Sequence, residues 1–428
     1  MRYCCLIILL VTLFTACKKS GDNIPPTIEI TVPAYMSGFQ VFDFVNVEAI
    51  VRDESQLQAI TVDIQNQNFN NVIPTISVPI TGNPQQVSES AYLNDIHLES
   101  GVYYVKVWAF DGFNERSVFR EITVTGVPLS INNMFVISNP VSSEQSWSVF
   151  TSGSLVPFHT FESEYGGAAV NSYFQYLYTM GAESDDLVAY HPVIVDTLWN
   201  KKNLGNPPLS YYHKMLEGPQ GRIFVTTTTG LVLSYGQSGT IGVQINAPMS
   251  YQPDDLFIWN DKVIVEQKHP STNAHVMGIY YNNGGYLDQS VATGNDIVSW
   301  EVRSNNELYV FSNDPSNQAH MQIYEYANNL FWEPHGLPAG KVNATYALSA
   351  DEVIIAHELG LYKYIYSSNS LLQIEAGHNF VKLLDDKVNH VLWCVENNKL
   401  FSYDYNGNQL SQTIHTNLIR DIHILYNK

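Results

Sequence analysis

Residues from about 25 to 127 alternate between apolar and polar side chains, without a convincing helical stretch. A period of two residues is typical of strands with one buried face. The alternation predicts seven short strands at residues 27–32, 41–52, 57–64, 72–78, 91–98, 102–110 and 117–124. Seven short strands in about 100 residues predict an antiparallel β-sandwich.

Beyond residue 128 the pattern changes to short continuous apolar runs. After each run comes one more strand, which ends in an aromatic residue and is followed by a polar turn. The seven aromatics lie 40, 45, 46, 45, 40 and 39 residues apart. They are Phe150, Tyr190, Tyr235, Tyr281, Tyr326, Tyr366 and Tyr405. A fixed period of roughly 43 residues in strand-forming sequence predicts a β-propeller with seven blades. We expect these aromatics to pack between neighbouring blades.

The first propeller repeat lacks an apolar segment for its innermost strand between Pro128 and Asn132. The chain ends with the strand-like segment 418–425. We predict that this segment supplies the missing strand, because joining the last blade to the first removes two open sheet edges. An open count of six or eight blades is the alternative. Closure also predicts that removing the last ten residues is unusually damaging.

The chain is therefore predicted to be all-β, with an immunoglobulin-like β-sandwich at 26–127 and a seven-bladed β-propeller at 128–428. The first part resembles immunoglobulin-like domains of bacterial surface lipoproteins in the residues 26–28, 51–55 and 109–114. That resemblance implies a spacer or an adhesion module. The second part resembles the broad group of WD40-like and YVTN-like propellers. It lacks a Trp-Asp dipeptide at the strand ends, a kelch double glycine with paired aromatics and a sialidase Asp-box, which limits any transfer of activity.

The N-terminus is predicted to be a lipoprotein signal peptide at 1–16, followed by a lipidated linker at 17–25. Arg2 precedes an apolar run at 6–14 that is too short to be a stable membrane span. The small residues before Cys17 resemble a bacterial lipobox, although Leu13 stands one position early. The resemblance implies lipid attachment at Cys17 and export to the outer membrane or cell surface rather than the inner membrane. An ordinary secretory signal is the alternative.

The composition of the chain limits the kinds of partner that it is expected to bind. The formal net charge is −20 and charged residues make up 14% of the chain, which makes nucleic acid a poor partner. Of the four cysteines, Cys4 and Cys5 leave with the signal and Cys17 takes the lipid. Cys394 then stands alone in an apolar run, so we predict a buried thiol and no disulfide.

Candidate contact residues lie in the propeller loops. The longest loops between second and third strands are predicted at 139–146, 181–185, 268–275 and 313–319. Long loops on a rigid scaffold carry function more often than short ones. Aromatics near the blade connections suit the stacking of sugar rings if they are exposed; they are Tyr211, Tyr212, Tyr251, Trp300 and Trp332.

No catalytic residue, metal ligand or cofactor is predicted. His269 and His275 share a loop, but no carboxylate stands at a recognisable spacing from them, and His357 lacks the second histidine of a zinc helix. Three acidic pairs flank strand starts, where aspartate is a common turn residue. They are Asp185-Asp186, Asp254-Asp255 and Asp385-Asp386. Asp53, Glu54 and Asp111 are interpreted as turn residues, with a calcium site as the alternative.

These observations predict a lipid-anchored envelope protein, monomeric, whose propeller loops bind a protein or glycan partner. The alternative is an enzyme, a hydrolase or lyase acting on extracellular polysaccharide, with its site at the mouth of the propeller channel. A purely structural envelope component is a third possibility. The first two differ in whether acids and histidines converge at the channel mouth.

Overall fold

The computed structural model describes residues 23–205 and 210–428. The predicted signal peptide and Cys17 lie outside this part of the chain. Two compact units are formed, one ending at Pro128 and the other running from Leu129 to Lys428. Their regular structure is strand apart from one short 3-10 helix at Pro219–Gly221. No helix in the described residues has the length and apolarity needed to cross a membrane.

The N-terminal unit contains eight strands in two sheets that share one apolar core. The three-stranded sheet has the order β1-β3-β6 and comprises Thr27–Val32, Phe44–Arg52 and Gln85–Tyr92. The five-stranded sheet has the order β2-β8-β7-β4-β5 and comprises Ser37–Gln40, Glu115–Thr125, Gly101–Phe110, Ala59–Gln65 and Ile76–Ser77. All pairs are antiparallel except β2 with β8, which is parallel. The resemblance of this unit to immunoglobulin-like domains stays a prediction.

The strand predicted at 91–98 is wrong. The structure places β6 at Gln85–Tyr92, where most side chains are polar and alternation is weak. Leu93 and Leu98 are buried, but they enter the core from an irregular segment in which the Asp95 side chain accepts a hydrogen bond from the His97 amide. The short strand β2 was missed for the same reason, since four residues give no clear period.

The C-terminal unit consists of seven four-stranded antiparallel sheets. The first sheet combines β9 (Ile131–Ser138), β10 (Gln145–Thr151) and β11 (Ser154–Phe161) with β36 (Ile419–Tyr426). The second and third are β12–β15 (Gly167–Asn171, Tyr176–Met180, Leu187–Tyr190, Thr197–Lys201) and β16–β19 (Tyr212–Glu217, Ile223–Thr227, Leu231–Tyr235, Ile241–Asn246). The fourth and fifth are β20–β23 (Gln252–Trp259, Lys262–Lys268, His275–Tyr281, Leu287–Ala292) and β24–β27 (Asp296–Val302, Glu307–Asn313, Ala319–Glu325, Leu330–Trp332). The sixth and seventh are β28–β31 (Val342–Ala347, Glu352–His357, Gly360–Ile365, Ser370–Ala376) and β32–β35 (Lys382–Asp386, Val391–Glu396, Lys399–Asp404, Gln409–Ile414).

The seven sheets form a closed ring. The first strands of successive sheets contact one another in the order β36, β12, β16, β20, β24, β28 and β32, and β32 contacts β36. These are therefore the innermost strands of a seven-bladed β-propeller. The predicted closure is confirmed, because β36 pairs antiparallel with β9. Asn427 adds two hydrogen bonds to Ser130, at 2.9 and 3.0 Å, beyond the end of the strand.

The repeated aromatics stand at the ends of the third strands, as their period requires. Phe150 packs on Trp393 of the seventh sheet, with ring centroids 4.9 Å apart. Tyr235 packs on Trp199 of the second sheet at 5.7 Å, and Tyr190, Tyr326 and Tyr366 likewise contact rings of the preceding sheet. The prediction that these residues pack between blades is confirmed for these five.

All loops between second and third strands lie at the end of the propeller where the innermost strands begin, because neighbouring strands are antiparallel. We call this end the loop face. The four predicted long loops are found there, at 139–144, 181–186, 269–274 and 314–318. They contain five or six residues, whereas the other three contain two or three.

Five innermost strands carry a β-bulge close to the loop face. The extra residues fall at 213–214 in β16, 254–255 in β20, 298 in β24, 343 in β28 and 420 in β36. A bulge interrupts alternation and redirects the side chains beside it. Three of these bulges consequently direct charged residues at the loop-face end of the channel.

Candidate functional site

A cavity of about 610 Å³ opens at the loop-face end of the ring of innermost strands. It is lined by the first residues of β12, β16, β32 and β36, and we call it the channel mouth. Its size falls in the range of small-molecule sites, ~300–1,000 Å³. The channel mouth is therefore large enough to hold a ligand of several rings or a side chain of a partner.

Asp421 on β36 is the one carboxylate among the described residues that line the channel mouth. Its Oδ1 lies 3.4 Å from Nζ of Lys382 on β32, and its Oδ2 lies 3.5 Å from Nε2 of His423. The Tyr165 hydroxyl donates a 2.9 Å hydrogen bond to Oδ2, and the Ile422 amide donates one to Oδ1. Groups from β32, from β36 and from the segment before β12 therefore hold one carboxylate.

These contacts decide the charge of Asp421. Burial by itself raises the pKa of a carboxyl group, but the charges of Lys382 and His423 outweigh burial. Together with the hydrogen bonds they lower the pKa of Asp421 far below its usual range. Burial and the neighbouring carboxylate raise the pKa of the Tyr165 hydroxyl. Asp421 is thus a fixed negative charge and not a proton donor near neutral pH.

The remaining charges of the channel mouth are basic. Lys214 lies next to it on β16 and binds Asp255 of β20 at 2.8 Å. Its own pKa is raised, because the nearby carboxylates outweigh the effect of burial. Arg420 is exposed at the mouth and makes no ion pair with another described residue. His213 also lines the cavity, so the mouth carries an excess of basic groups in a strongly acidic chain.

A second cluster lies on the same face, between the fourth and fifth sheets. Glu266 on β21, His275 on β22 and Asp296 on β24 bring ligand atoms within 4.8 Å of one another. Nδ1 of His275 lies 2.7 Å from Oε1 of Glu266, which also accepts a 2.9 Å hydrogen bond from the Ile297 amide. Glu266 and His275 are buried, whereas Asp296 is exposed. A neighbouring cavity of about 220 Å³ is lined by His275 and Asp296.

Burial and hydrogen bonding shift the pKa values of Glu266 and His275 in opposite directions. Burial raises the pKa of Glu266 to about 7, although the hydrogen bonds from His275 and Ile297 partly offset it. The hydrogen bond to Glu266 raises the pKa of His275 despite burial. Although the Asp296 residue is exposed, partial desolvation of its carboxyl group raises its pKa as well. The cluster therefore retains a proton more readily than exposed groups of the same types.

Sequence analysis named His275 without predicting it as a metal ligand, and it missed the two neighbouring carboxylates. Glu266 follows the apolar run 263–265 and stands nine residues before His275, so it reads as part of a buried strand. Glu266 and His275 are diagonal neighbours on the two paired strands of one hairpin. Asp296 belongs to the first strand of the next sheet. His269 takes no part: its Nδ1 accepts hydrogen bonds from the Ser271 and Thr272 amides within the loop.

The three acidic pairs have different surroundings. Asp185 accepts from the Glu164 amide, and Asp186 binds Lys202 at 2.8 Å. Asp255 binds Lys214 near the channel mouth. Asp385 accepts hydrogen bonds from the hydroxyls of Tyr346 and Tyr405 at 2.7 and 2.5 Å, far along the innermost strand from the loop face.

The turn interpretation of the acidic residues in the N-terminal unit is confirmed. Asp53 accepts a 2.6 Å hydrogen bond from the Ser55 amide, and Asp111 accepts from the amides of Phe113 and Asn114. These bonds lower the pKa of Asp111, although burial opposes them. Glu54, which was grouped with them, is exposed.

The aromatic residues do not form an exposed row. Tyr211, Tyr212 and Trp300 are buried in the core between sheets, whereas Trp332 is exposed. His357 is also buried, and its Nδ1 accepts from the Leu359 amide. Cys394 is a buried free thiol, as predicted, and burial raises its pKa. Stacking of sugar rings on Tyr211, Tyr212 or Trp300 is thus excluded by their burial.

Comparison with solved structures agrees with the propeller fold. A protein proposed to be a 6-phosphogluconolactonase, from Bacteroides fragilis, matches 69% of this chain and 97% of its own, with 12% identity and a TM-score of 0.52. A functionally unknown protein from Desulfotomaculum acetoxidans matches 68% of this chain and 98% of its own, with 13% identity and a TM-score of 0.50. A quinonprotein alcohol dehydrogenase-like protein from Bacteroides thetaiotaomicron covers 94% of this chain and 99% of its own, with 10% identity and a TM-score of 0.49.

No protein-family model and no curated protein sequence matches this chain. At identities of 12–13% the structural matches establish the fold and nothing about activity. The class of the C-terminal unit is therefore a β-propeller, and its function has to be argued from its own residues.

Proposed function

We propose that this protein is a lipid-anchored binding protein of the cell envelope whose propeller holds an anionic group of a glycan or protein partner at the channel mouth. The observation that carries the proposal is the excess of basic side chains there. Lys214, Lys382 and Arg420 line the cavity, while Asp421 is the one carboxylate among its described lining residues. The chain as a whole has a net charge of −20.

Local charge of the opposite sign to the whole chain favours a specific ligand over general attraction. The acidic surface repels anions at long range, so an anion is retained only where basic groups are concentrated. Lys382 is occupied by Asp421, and Lys214 by Asp255. Arg420 has no such partner among the described residues, and its planar guanidinium suits a carboxylate or sulfate group.

The volume of the channel mouth favours a glycan segment over a flat protein epitope. A cavity of about 610 Å³ accepts two or three sugar rings, since ligand pockets of ~300–1,000 Å³ enclose molecules of that size. An acidic oligosaccharide combines the required volume with the required charge. The lipid anchor at Cys17 and the envelope location rest on the N-terminal sequence pattern alone.

Calorimetric titration with an oligogalacturonate and with a neutral oligosaccharide of equal length tests the proposal. We expect binding of the acidic ligand only, weakened by salt because the contacts are charged. Arg420→Gln is expected to weaken binding about tenfold, since a charge-assisted contact is lost. Lys202→Gln is the matched control, because Lys202 is exposed and pairs with Asp186 away from the cavity.

Equal affinity for the two ligands, or an Arg420→Gln variant with wild-type affinity, contradicts the assignment of the site. A protein that binds neither ligand but captures an acidic envelope protein through Arg420 retains the site and changes the partner.

An enzyme is the second candidate, and one observation favours it. Asp421 and His423 converge at the channel mouth, with the Tyr165 hydroxyl on the same carboxylate. A two-carboxylate hydrolase mechanism is disfavoured, because it needs a protonated carboxyl group beside an ionised one. Asp421 is ionised, and no second carboxyl group lines the cavity among the described residues. Following the release of reducing ends and of unsaturated product in the titrated samples tests for turnover. Turnover that is lost in His423→Gln replaces the binding proposal with the enzymatic one.

A further inference from the structure

We propose that Glu266, His275 and Asp296 bind a divalent transition-metal ion on the loop face, with zinc as the reference ion. The proposal does not rest on the channel mouth, because the three residues belong to other strands, and His275 and Asp296 line a different cavity. It also departs from the sequence-based expectation, in which no metal ligand was predicted.

The donor set is the first argument. Each residue offers one ligand atom, and these atoms lie within 4.8 Å of one another. Ligand atoms about 2.0–2.2 Å from zinc stand roughly 3.4 Å apart in a tetrahedron, so small side-chain rotations suffice. One imidazole nitrogen with two carboxylate oxygens suits zinc and similar ions, whereas calcium and magnesium prefer oxygen alone.

The state of His275 is the second argument. The side chain is buried, with 4% of its surface exposed, yet it lines the cavity that Asp296 also lines. Nδ1 is held by Glu266 at 2.7 Å, and no described residue forms a hydrogen bond with Nε2. A metal ion bound by both side chains takes the place of the proton in this bond, so Nδ1 of His275 and a carboxylate oxygen of Glu266 are the ligand atoms. The buried pair therefore supplies two ligands that already lie side by side.

The rigidity of the site is the third argument. Glu266 and His275 belong to paired strands of one hairpin, and the amide of Ile297 ties Glu266 to the strand that carries Asp296. Ligands on strands are positioned more accurately than ligands on loops. The cavity of about 220 Å³ leaves room for water to complete the coordination.

Two lysines oppose the metal. Lys268 and Lys341 line the same cavity, together with Asp314. Their positive charges repel a divalent cation, and Asp314 offsets one of them. The lysines therefore provide a test. Removal of one lysine charge should strengthen metal binding, because the repulsion is reduced, although a side chain is lost.

The experiment is calorimetric titration of the purified full-length protein with zinc after treatment with a chelator. We expect one zinc per chain, and a weakening of about tenfold or more in His275→Gln and in Asp296→Asn. His269→Gln is the matched control: it lies in the same loop region, and its Nδ1 caps the loop backbone. Lys268→Gln is expected to bind zinc a few-fold more tightly.

Asp296 is exposed, so Asp296→Asn tests the site even where His275→Gln fails to fold. Absence of zinc binding by the wild type overturns the proposal. So do wild-type zinc affinity in Asp296→Asn, an equal loss in His269→Gln, a Lys268→Gln variant that binds no more tightly, and a preference for calcium over zinc.

Discussion

Two innermost strands of the propeller, β36 and β24, each carry a carboxyl group between neighbouring sheets, but they hold it in opposite ways. Asp421 on β36 is surrounded by the charges of Lys382 and His423, which lower its pKa. Glu301 on β24 accepts hydrogen bonds from the Thr345 hydroxyl at 2.8 Å and from a backbone amide at 3.0 Å. Burial raises the pKa of Glu301 to about 7, because these neutral donors only partly offset it.

The difference shows which carboxyl group belongs to a site. A charge that is maintained by cations at the opening of a cavity can act on a ligand. Glu301 is closed between β24 and β28 and is shared among neutral donors, so it serves the packing of those two strands. The strand β36 also closes the ring, so the same strand contributes to both the stability of the propeller and the charge of its mouth.

Removal of residues 419–428 is expected to have the largest effect on the stability of the propeller. It deletes β36 and with it Asp421, so the ring opens and β9 becomes an exposed edge with unpaired backbone groups. We expect loss of cooperative thermal unfolding of the propeller, measured by calorimetry. Removal of only Asn427 and Lys428 keeps β36 and is the control. A cooperative transition in the longer deletion would show that closure contributes little.

Glu301→Gln is expected to have the next largest effect, which is a change in how the stability of the fold depends on pH. The folded pKa, about 7, is higher than that of an unfolded glutamate, so the folded state binds more protons between these values. The wild type therefore loses stability as the pH rises through this window. We expect Glu301→Gln to reduce the loss between pH 5 and pH 8 by about 2 kcal/mol.

Urea unfolding at both pH values measures the change. The slope should not vanish, because burial also raises the pKa of Glu217 and of Glu266 to about 7. Glu162→Gln, at an exposed position of the propeller, controls for the removal of one negative charge. An unchanged slope in Glu301→Gln means that Glu301 is ionised in the folded state.

Asp421→Asn should show the opposite pH dependence and a slightly smaller effect. A lowered pKa contributes stability that is present above the unfolded value and is lost as the pH falls through the folded value. We expect Asp421→Asn to cost about 2 kcal/mol at pH 7, where the wild-type charge is paired. The difference from the wild type should shrink between pH 4 and pH 2. A constant difference over that range, measured by urea unfolding, would assign the loss to packing.

The sequence was sufficient for the propeller and insufficient for its sites. The period of the blade-end aromatics and the strand-like C-terminus predicted seven sheets and their closure, because each repeat has to bury the same apolar faces. The residues that line the channel mouth were not predicted, since bulges at 213–214 and 420 break the alternation that assigns side chains to faces. Glu266, His275 and Asp296 come together only through a hairpin and the neighbouring sheet.

Tyr165→Phe is expected to have the smallest effect. It tests how much the hydrogen bond from Tyr165 to Asp421 contributes to stability. The Tyr165 hydroxyl donates to Asp421 at 2.9 Å from a segment before β12, so this bond links the second sheet to the closing strand. A hydrogen bond to a charged group contributes about 1.5 kcal/mol, and the loss of one hydroxyl leaves Asp421 its contacts with Lys382 and His423. We expect a loss of about 1 kcal/mol in the single variant.

A double-mutant cycle of Tyr165→Phe with Asp421→Asn separates the bond from the packing of the ring. If the hydroxyl acts through the charge of Asp421, the double variant should lose less than the sum of the two single losses, by about 0.5–1 kcal/mol. Additive losses would mean that Tyr165 stabilises the propeller through its ring alone. In that case Lys382 and His423 hold Asp421 without help from the second sheet, and closure at β36 and the charge at the mouth are separate properties of the same strand.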